Sequence, residues 1–379
     1  MRGRKNITFM IISTLVLTLL YNLVFAKESS AFNVSASGAV LMEQDSGRIL
    51  YATNPHEVHR IASITKVMTA ILAIESGKMD ELVTVSKEAV YTEGSSIYLQ
   101  VGEKIKLRDL VYGLMLRSGN DAARAIAEHV GGSLEGFVFL MNQKAEEIGM
   151  ENTVFANPHG LDDHEEHYST AYDMALLTRY AMNNEEFKKI SGTKVYKFKR
   201  ESGMQQWTNK NRLLKKYKYT TGGKTGFTKR AGRTLITTAE KDGTELIVVT
   251  LNDGNDWNDH INMYEHGFSA FPVRKVLEEG PIKVKVDGLK NREIYIEDPI
   301  FYPLNDKETD EVNIEYKLLH LNKLNKTSSG KIGVGVLYFQ NEEVLQFPVF
   351  IRTLDTEDSL PWWQKLFNSL FGKIGAIHD

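Results

Sequence analysis

Residues 64–74 are apolar nearly all round: Ile64, Val67, Met68, Ala70, Ile71, Leu72, Ala73 and Ile74 leave no polar face. A helix of that kind has to be wrapped on every side, so the chain must build a layered domain around it. Two turn signatures supply a second layer. Asp45-Ser46-Gly47 separates the apolar residues 38–42 and 48–51, and Asp242-Gly243 separates residues 234–239 and 245–251. Both read as hairpins. Residues 106–130 form a further helical stretch that closes at Gly131-Gly132. Strands at both ends with helices between them predict an α/β (α+β) layer fold over residues 32–271, its sheet antiparallel and built from the two hairpins.

The texture changes at Phe271-Pro272. Ile282 to Val286, Val312 to Tyr316 and Val334 to Tyr338 alternate apolar and polar residues at period two, and residues 344–351 follow as a return strand. Residues 272–355 therefore read as a small all-β sandwich. The chain has 379 residues, 42% hydrophobic and 25% charged, a globular composition with room for two or three domains at about 150 residues each. Its 46 Lys and Arg against 49 Asp and Glu give a net charge of −3. That balance exerts no global pull on nucleic acid, and none is expected as a partner. With no cysteine, a disulfide scaffold and a cysteine-ligated metal centre are excluded.

The two ends stand apart from both folds. Arg2, Arg4 and Lys5 precede an uncharged run that ends Val24-Phe25-Ala26. A basic start, an apolar middle and small residues before the cut predict a secretory signal over 1–26, with cleavage after Ala26 or after Ala31. An uncleaved membrane anchor is the alternative. In residues 356–379, Trp363, Leu366, Phe367, Leu370, Phe371 and Ile374 fall on one helical stripe, with Trp362, Lys365 and Lys373 flanking it. Such a segment suits a helix lying on a membrane surface, on the extracytoplasmic side of an exported protein. A helix docked on the body of the protein is the alternative.

Three short motifs carry chemistry. Ser63-Ile64-Thr65-Lys66 opens the buried helix and puts Ser63 and Lys66 one turn apart. A serine becomes a nucleophile when a base takes its proton, and a lysine is that base when burial or a neighbouring cation keeps it neutral. Ser118-Gly119-Asn120 follows an apolar run, in a break between helical segments. There a hydroxyl and an amide can relay a proton or hold a substrate amide. Lys224-Thr225-Gly226 follows Gly222-Gly223. On an edge strand the glycine admits substrate backbone, while Lys224 and Thr225 can bind a carboxylate and Lys224 helps keep Lys66 neutral.

Each motif is weak alone, but their order and their separations of 55 and 106 residues form the set found in penicillin-binding proteins and class A β-lactamases. Together with the stretches from Arg60 to Ala70, Leu116 to Ala123, Asn157 to Asp162 and Tyr168 to Ala175, they make the sequence resemble the serine D-alanyl-D-alanine carboxypeptidases. These are the low-molecular-mass penicillin-binding proteins, and the likeness is greatest to the sporulation branch of endospore formers. The resemblance implies a hydrolase that removes the terminal D-alanine from peptidoglycan pentapeptide stems through an acyl-enzyme. It implies control of crosslinking in the cell wall or spore cortex, inhibition by β-lactams that acylate the serine, and no cofactor. Ser63 would be the nucleophile, Lys66 its base and Ser118 the proton relay to the leaving D-alanine. Asn120 would hold the acyl amide, Lys224 and Thr225 the terminal carboxylate, and the N–H groups of Ser63 and Phe227 the oxyanion, with Gly226 beside them.

Residues 210–233 carry nine Lys and Arg and no Asp or Glu, a patch that would attract a carboxylate-ended substrate. Lys210 or Arg212 would assist there. His159, His164 and His167 with Asp162 and Asp163 have the density of a metal site but belong to the family stretch, and no metal is expected. Asp253, Asn255, Asp256 and Asp259 look like a calcium loop, but Tyr264 stands where its final glutamate belongs. Two rival functions are a β-lactamase, for which Glu165 or Glu166 would have to serve as the base for water, and a non-enzymatic penicillin sensor.

Overall fold

A computed structural model describes residues 34–200, 203–284, 292–319 and 330–354. The signal segment 1–26, Lys285 and Val286 of one expected strand, and the amphipathic segment 356–379 lie outside the described residues.

Both expected hairpins form and join into one antiparallel sheet. Strands β1 (Gly38–Glu43) and β2 (Ile49–Thr53) make the first hairpin. The sheet's other strands come from later in the chain, after two short two-stranded pieces. These pieces are β3 (Leu82–Thr84) with β4 (Lys104–Lys106), and β5 (Val195–Arg200) with β6 (Gly203–Thr208). Strand β7 (Thr220–Thr228) then leads into the second hairpin, β8 (Gly232–Lys241) and β9 (Thr244–Leu251), and the sheet order is β2-β1-β9-β8-β7. Strand β7 is therefore an edge.

Alternate residues of β8 and β9 face opposite layers. On one side Ile236, Ile247, Val249 and Leu251 join the main core, with Val40 and Met42 of β1 and the helical cluster. On the other, Thr237 and Thr250 meet His260 of the helix Asp256–Ala270, at 2.6 and 3.0 Å. The apolar helix is Lys66–Glu75, and every residue from Lys66 to Ala73 is buried. Residues 106–130 depart from a continuous helix. They form the helix Leu107–Tyr112, a π-helical turn Gly113–Arg117, a break, and the helix Asn120–Gly131. The break falls at Ser118, whose left-handed backbone (φ 64°, ψ 33°) ends the ladder.

After the helix Asp256–Ala270 the regular structure of the described residues is strand, apart from one 3-10 turn at Thr309–Glu311. It contains β10 (Val273–Leu277), β11 (Gly280–Pro281), β12 (Arg292–Ile296), β13 (Ile300–Pro303), β14 (Val312–Leu318), β15 (Gly330–Phe339) and β16 (Glu342–Thr353). β10 pairs with β13, and the others form an antiparallel sheet ordered β11-β12-β16-β15-β14. Ile294, Ile332, Phe347, Val349 and Ile351 make its core. One side chain ties this part to the first sheet. Arg48, from the turn before β2, enters a cage of Phe271, Tyr302 and Phe339 with ring centroids 5.3, 5.4 and 4.3 Å away. There it pairs with Glu308 at 2.7 Å and donates to the carbonyl of Pro303. Both charged side chains of the pair are largely buried.

Candidate active site

Ser63 lies in a 3-10 turn, Ala62–Thr65, that runs directly into the buried helix. Side chains three apart eclipse in a 3-10 turn, which brings Lys66 Nζ to 2.9 Å from Ser63 Oγ. The turn is strained and braced. Ala62 holds a positive φ of 48°, and its carbonyl accepts from Thr65 Oγ1 at 2.8 Å. The carbonyl of Ile61 accepts from Thr234 Oγ1 of β8 at 2.9 Å. His167 sets the direction of this chain of bonds. Its Nδ1 accepts from the Ala156 N–H at 3.0 Å, so Nε2 carries the proton and donates to Thr65 Oγ1 at 2.8 Å. Burial pushes the His167 imidazole down to about 3, which keeps that tautomer neutral.

Lys66 is fully buried among three oxygens: Ser63 Oγ, Asn120 Oδ1 at 2.7 Å and the His159 carbonyl at 2.6 Å. Burial, followed by the charges of Lys224 and Lys210, holds its amine well below the usual lysine range, against a smaller opposing effect of Asp121. A neutral amine has two hydrogens and one lone pair. The carbonyl and the amide oxygen can only accept, so they take the hydrogens, and the lone pair is left for the Ser63 hydroxyl proton. The Asn120 amide cannot be turned round, because its Nδ2 donates to the Glu93 carbonyl at 2.5 Å.

Ser118 faces the same point from the helix break. Its Oγ accepts from Lys224 Nζ at 3.0 Å, and that amine also donates to the Thr225 carbonyl at 2.6 Å. Lys224 is buried, and burial with the nearby Lys210 charge lowers it to about 7. The motif Lys224-Thr225-Gly226 lies within β7 itself, on the sheet edge. Gly226 is there for space: a Cβ at this position would stand 2.9 Å from the Ser63 nitrogen and 3.1 Å from that of Ile64. Gly160, at φ +83°, is fixed in the same way by the Ala62 carbonyl, on which its Cβ would collide.

A cleft of about 650 Å³ opens over this cluster, lined on its polar side by Ser63, Ser118, Thr225 and Ser95. Lys66, Asn120 and Lys224 stand behind its wall. Its cationic end carries Lys210, Arg212 and Arg233. Lys210 Nζ donates to Ser95 Oγ at 3.3 Å, and Arg233 pairs with Asp256 through two nitrogens, beside Trp257. Among the described residues Arg212 has neither a hydrogen bond nor an ion pair for its exposed guanidinium, so it is the cation left for a substrate.

The structure thus brings Ser63, Lys66, Ser118, Asn120, Lys224, Thr225, Gly226 and Phe227 to one place. Sequence reasoning missed the carbonyls of His159 and Glu93, the Ser95 hydroxyl, and the wall made by Asp256 and Trp257. A carbonyl leaves no mark in residue type, and the acidic run around Asp256 resembles any solvated loop. Glu165 sits elsewhere. It bridges Arg60 at 2.5 Å and Arg230 at 2.7 and 2.8 Å, which holds its carboxyl down to about 2. A carboxylate committed to two arginines is a poor base for water. Of the other two histidines in this loop, His159 is buried and its Nδ1 accepts from the Leu161 N–H at 3.3 Å, while the His164 carbonyl accepts from Arg60 at 2.9 Å.

Residues 25–255, more than half the chain, match the family model described as D-alanyl-D-alanine carboxypeptidase, a peptidase family. The chain is 36% identical over 280 residues to D-alanyl-D-alanine carboxypeptidase DacF of Bacillus subtilis, covering 72% of each chain. Among solved structures, penicillin binding protein 5 from Haemophilus influenzae superposes with a TM-score of 0.69 at 28% identity, over 85% of this chain and 97% of that one. DacD from Francisella tularensis gives 0.64 at 26%, over 85% and 94%. With the serine, its neutral lysine and the edge strand already in place, these likenesses fix the lineage: the chain belongs to the serine D-alanyl-D-alanine carboxypeptidases, the low-molecular-mass penicillin-binding proteins.

Proposed function

We propose that Ser63 attacks the D-Ala–D-Ala peptide bond of peptidoglycan stems and that Lys66 takes its proton. The enzyme is a penicillin-sensitive serine DD-carboxypeptidase, a hydrolase of the cell wall. The observation that carries the residue roles is the 2.9 Å contact between Ser63 Oγ and the Nζ of a buried Lys66 whose charged form its surroundings disfavour. As the Ser63 Oγ–carbon bond forms, the carbonyl oxygen takes the negative charge, and the N–H groups of Ser63 and Phe227 receive it. Each such donor contributes about 3 kcal/mol in comparable enzymes. The carbon–nitrogen bond then breaks. Ser118 gives its proton to the departing amine of D-alanine and receives the one Lys66 took from Ser63, which returns Lys66 to its neutral form before water enters. Asn120 keeps Lys66 oriented and has a second amide hydrogen for the acyl portion. The terminal carboxylate meets Thr225 and Arg212, with Lys224 lending charge from behind. Water finally cleaves the acyl-enzyme. A β-lactam follows the same first step and leaves Ser63 acylated.

The test is D-alanine release from a pentapeptide ending in D-Ala–D-Ala, run beside penicillin labelling. Ser63→Ala should abolish both while leaving the fold intact; persistent release by that variant would sink the assignment. Labelling without any release by the wild type would favour a sensor, and rapid steady turnover of penicillin would favour a β-lactamase.

We infer further that residues 1–26 direct export, that a catalytic domain spans 32–271 and a β domain 272–355, and that 356–379 rests on the outer face of the cell membrane. Residue patterning supports these assignments, and among the described residues no helix is long and apolar enough to cross a membrane. Truncation after Asp358 should free the protein from membranes; unchanged association refutes the anchor. A role in sporulation rests on the sequence resemblance of the motif stretches alone, and loss of the gene without a spore phenotype would count against it.

A further inference from the structure

Ser95 lines the cleft, and buried groups pin the segment 93–99 around it. Asn120 donates its main-chain N–H to the Ser95 carbonyl at 2.6 Å and its side-chain amide to that of Glu93. Asp121, fully buried, accepts from Ser96 Oγ at 2.6 Å and from the N–H groups of Ile97 and Leu99 at 3.0 and 3.2 Å. Arg200 holds the Ile97 carbonyl at 3.2 Å. Ile97 and Leu99 point into the core. Between them, Tyr98 is 79% exposed and adopts a φ of +58°.

A bulky side chain in left-handed backbone is a genuine outlier. A ring that buries so little returns nothing to folding for that strain. The rigid turn has the effect of presenting the ring to solvent, and strain held this firmly three residues from the cleft residue Ser95 points to function. Tyr91 offers the contrast: it is 72% exposed at an ordinary φ of −91°.

We propose that Tyr98 is a specificity-determining platform for the saccharide-bearing end of the peptidoglycan stem. The proposal rests on the carboxypeptidase reading. With the terminal carboxylate at Arg212 and Thr225, the acyl portion leaves past Asn120, which is bonded to Ser95. Four residues before the scissile bond span roughly 13 Å when extended, and Tyr98 is at most about 10 Å along the chain from Ser95. The ring therefore lies within reach of the point where stem peptide joins sugar. A phenol gives the sugar an apolar face and a hydroxyl, and a platform already held in place loses little freedom on binding.

The full chain is compared with Tyr98→Phe, Tyr98→Gly and, as control, Tyr91→Gly. kcat/KM for D-alanine release is measured on a blocked tripeptide ending in D-Ala–D-Ala, a free pentapeptide, and a disaccharide-pentapeptide. Tyr98→Gly should lose about tenfold on the disaccharide substrate, through KM, and stay within about twofold on both peptides. Its penicillin acylation should be unchanged and its Tm equal or higher, because the strain is relieved. Tyr98→Phe should keep most of the effect, and Tyr91→Gly should match wild type. An equal loss on all three substrates, or no loss on the disaccharide, overturns the proposal; an equal loss on free and glycosylated pentapeptide overturns the sugar as occupant. Inactivity of the wild type on the tripeptide would instead overturn the carboxypeptidase reading, and this proposal with it.

Discussion

Gly226→Ala isolates the fit between the edge strand and the nucleophile's turn. The added methyl would meet the backbone nitrogens of Ser63 and Ile64 at 2.9 and 3.1 Å, with Thr234 Oγ1 closer still. Main-chain nitrogens cannot rotate aside as a side chain does. Relaxing the Ser63 contact to ordinary packing distance moves β7 away from the turn by roughly 0.5 Å or more. Complete loss of one oxyanion donor costs about 3–4 kcal/mol, and a partial withdrawal of both should cost about 2 kcal/mol, or about thirtyfold in the acylation rate. Overpacking should also lower global stability by about 1–3 kcal/mol. Stopped-flow acylation with a chromogenic cephalosporin, beside thermal melts, measures both. Adding Thr234→Ala removes the nearest obstacle but leaves the Ser63 contact, so it should not restore the rate. Acylation by folded Gly226→Ala within threefold of wild type would refute the claim that this glycine sets the oxyanion geometry.

Two further predictions follow from buried charges. Lys224 titrates near 7 when folded against an ordinary 10.5, so between those values the unfolded chain holds one more proton and stability rises with pH. Lys224→Met lacks that site. Its stability relative to wild type should be highest near pH 7 and fall toward pH 10 in urea melts, and a gap that stays constant with pH contradicts the assignment. Arg48→Ala empties the aromatic cage and leaves the largely buried Glu308 without its ion-pair partner, which should cost about 3 kcal/mol at the junction. Calorimetry should then resolve two unfolding transitions while D-alanine release from a tripeptide stays unchanged; a single transition at the wild-type temperature would show that the cage does not couple the two parts.

What the sequence made legible was local or patterned. Asp45-Ser46-Gly47 and Asp242-Gly243 announced hairpins because turn chemistry is written in two or three residues. The helix after Ser63 was visible because an apolar run has one home. The reactive cluster was legible through its family spacing, since nothing in a linear chain shows that residues 63, 118 and 224 meet. Long-range main-chain partners stayed hidden: the His159 carbonyl that takes one hydrogen of Lys66 is indifferent to its own side chain. The choice between Lys210 and Arg212 also needed three dimensions. The lysine is drawn to Ser95, whereas the arginine is left over. The break read at Ser118-Gly119-Asn120 within the helical stretch 106–130 forms there, but the π-helical turn Gly113–Arg117 before it has no mark in residue pattern.

The cage around Arg48 fixes more than an angle. Phe339 belongs to the cage, and β16 starts beside it at Glu342 and runs to Thr353. Twelve strand residues at about 3.3 Å each make a strut of roughly 35–40 Å. The chain thus leaves the described structure at the far end of that strut from the caged arginine. If the tail rests on the membrane as proposed, the second sheet would act as a standoff, and strand length would set the working height of Ser63 above the lipid. Lengthening the β15–β16 hairpin by a few residue pairs would raise the enzyme into a more distant layer of wall without touching its chemistry.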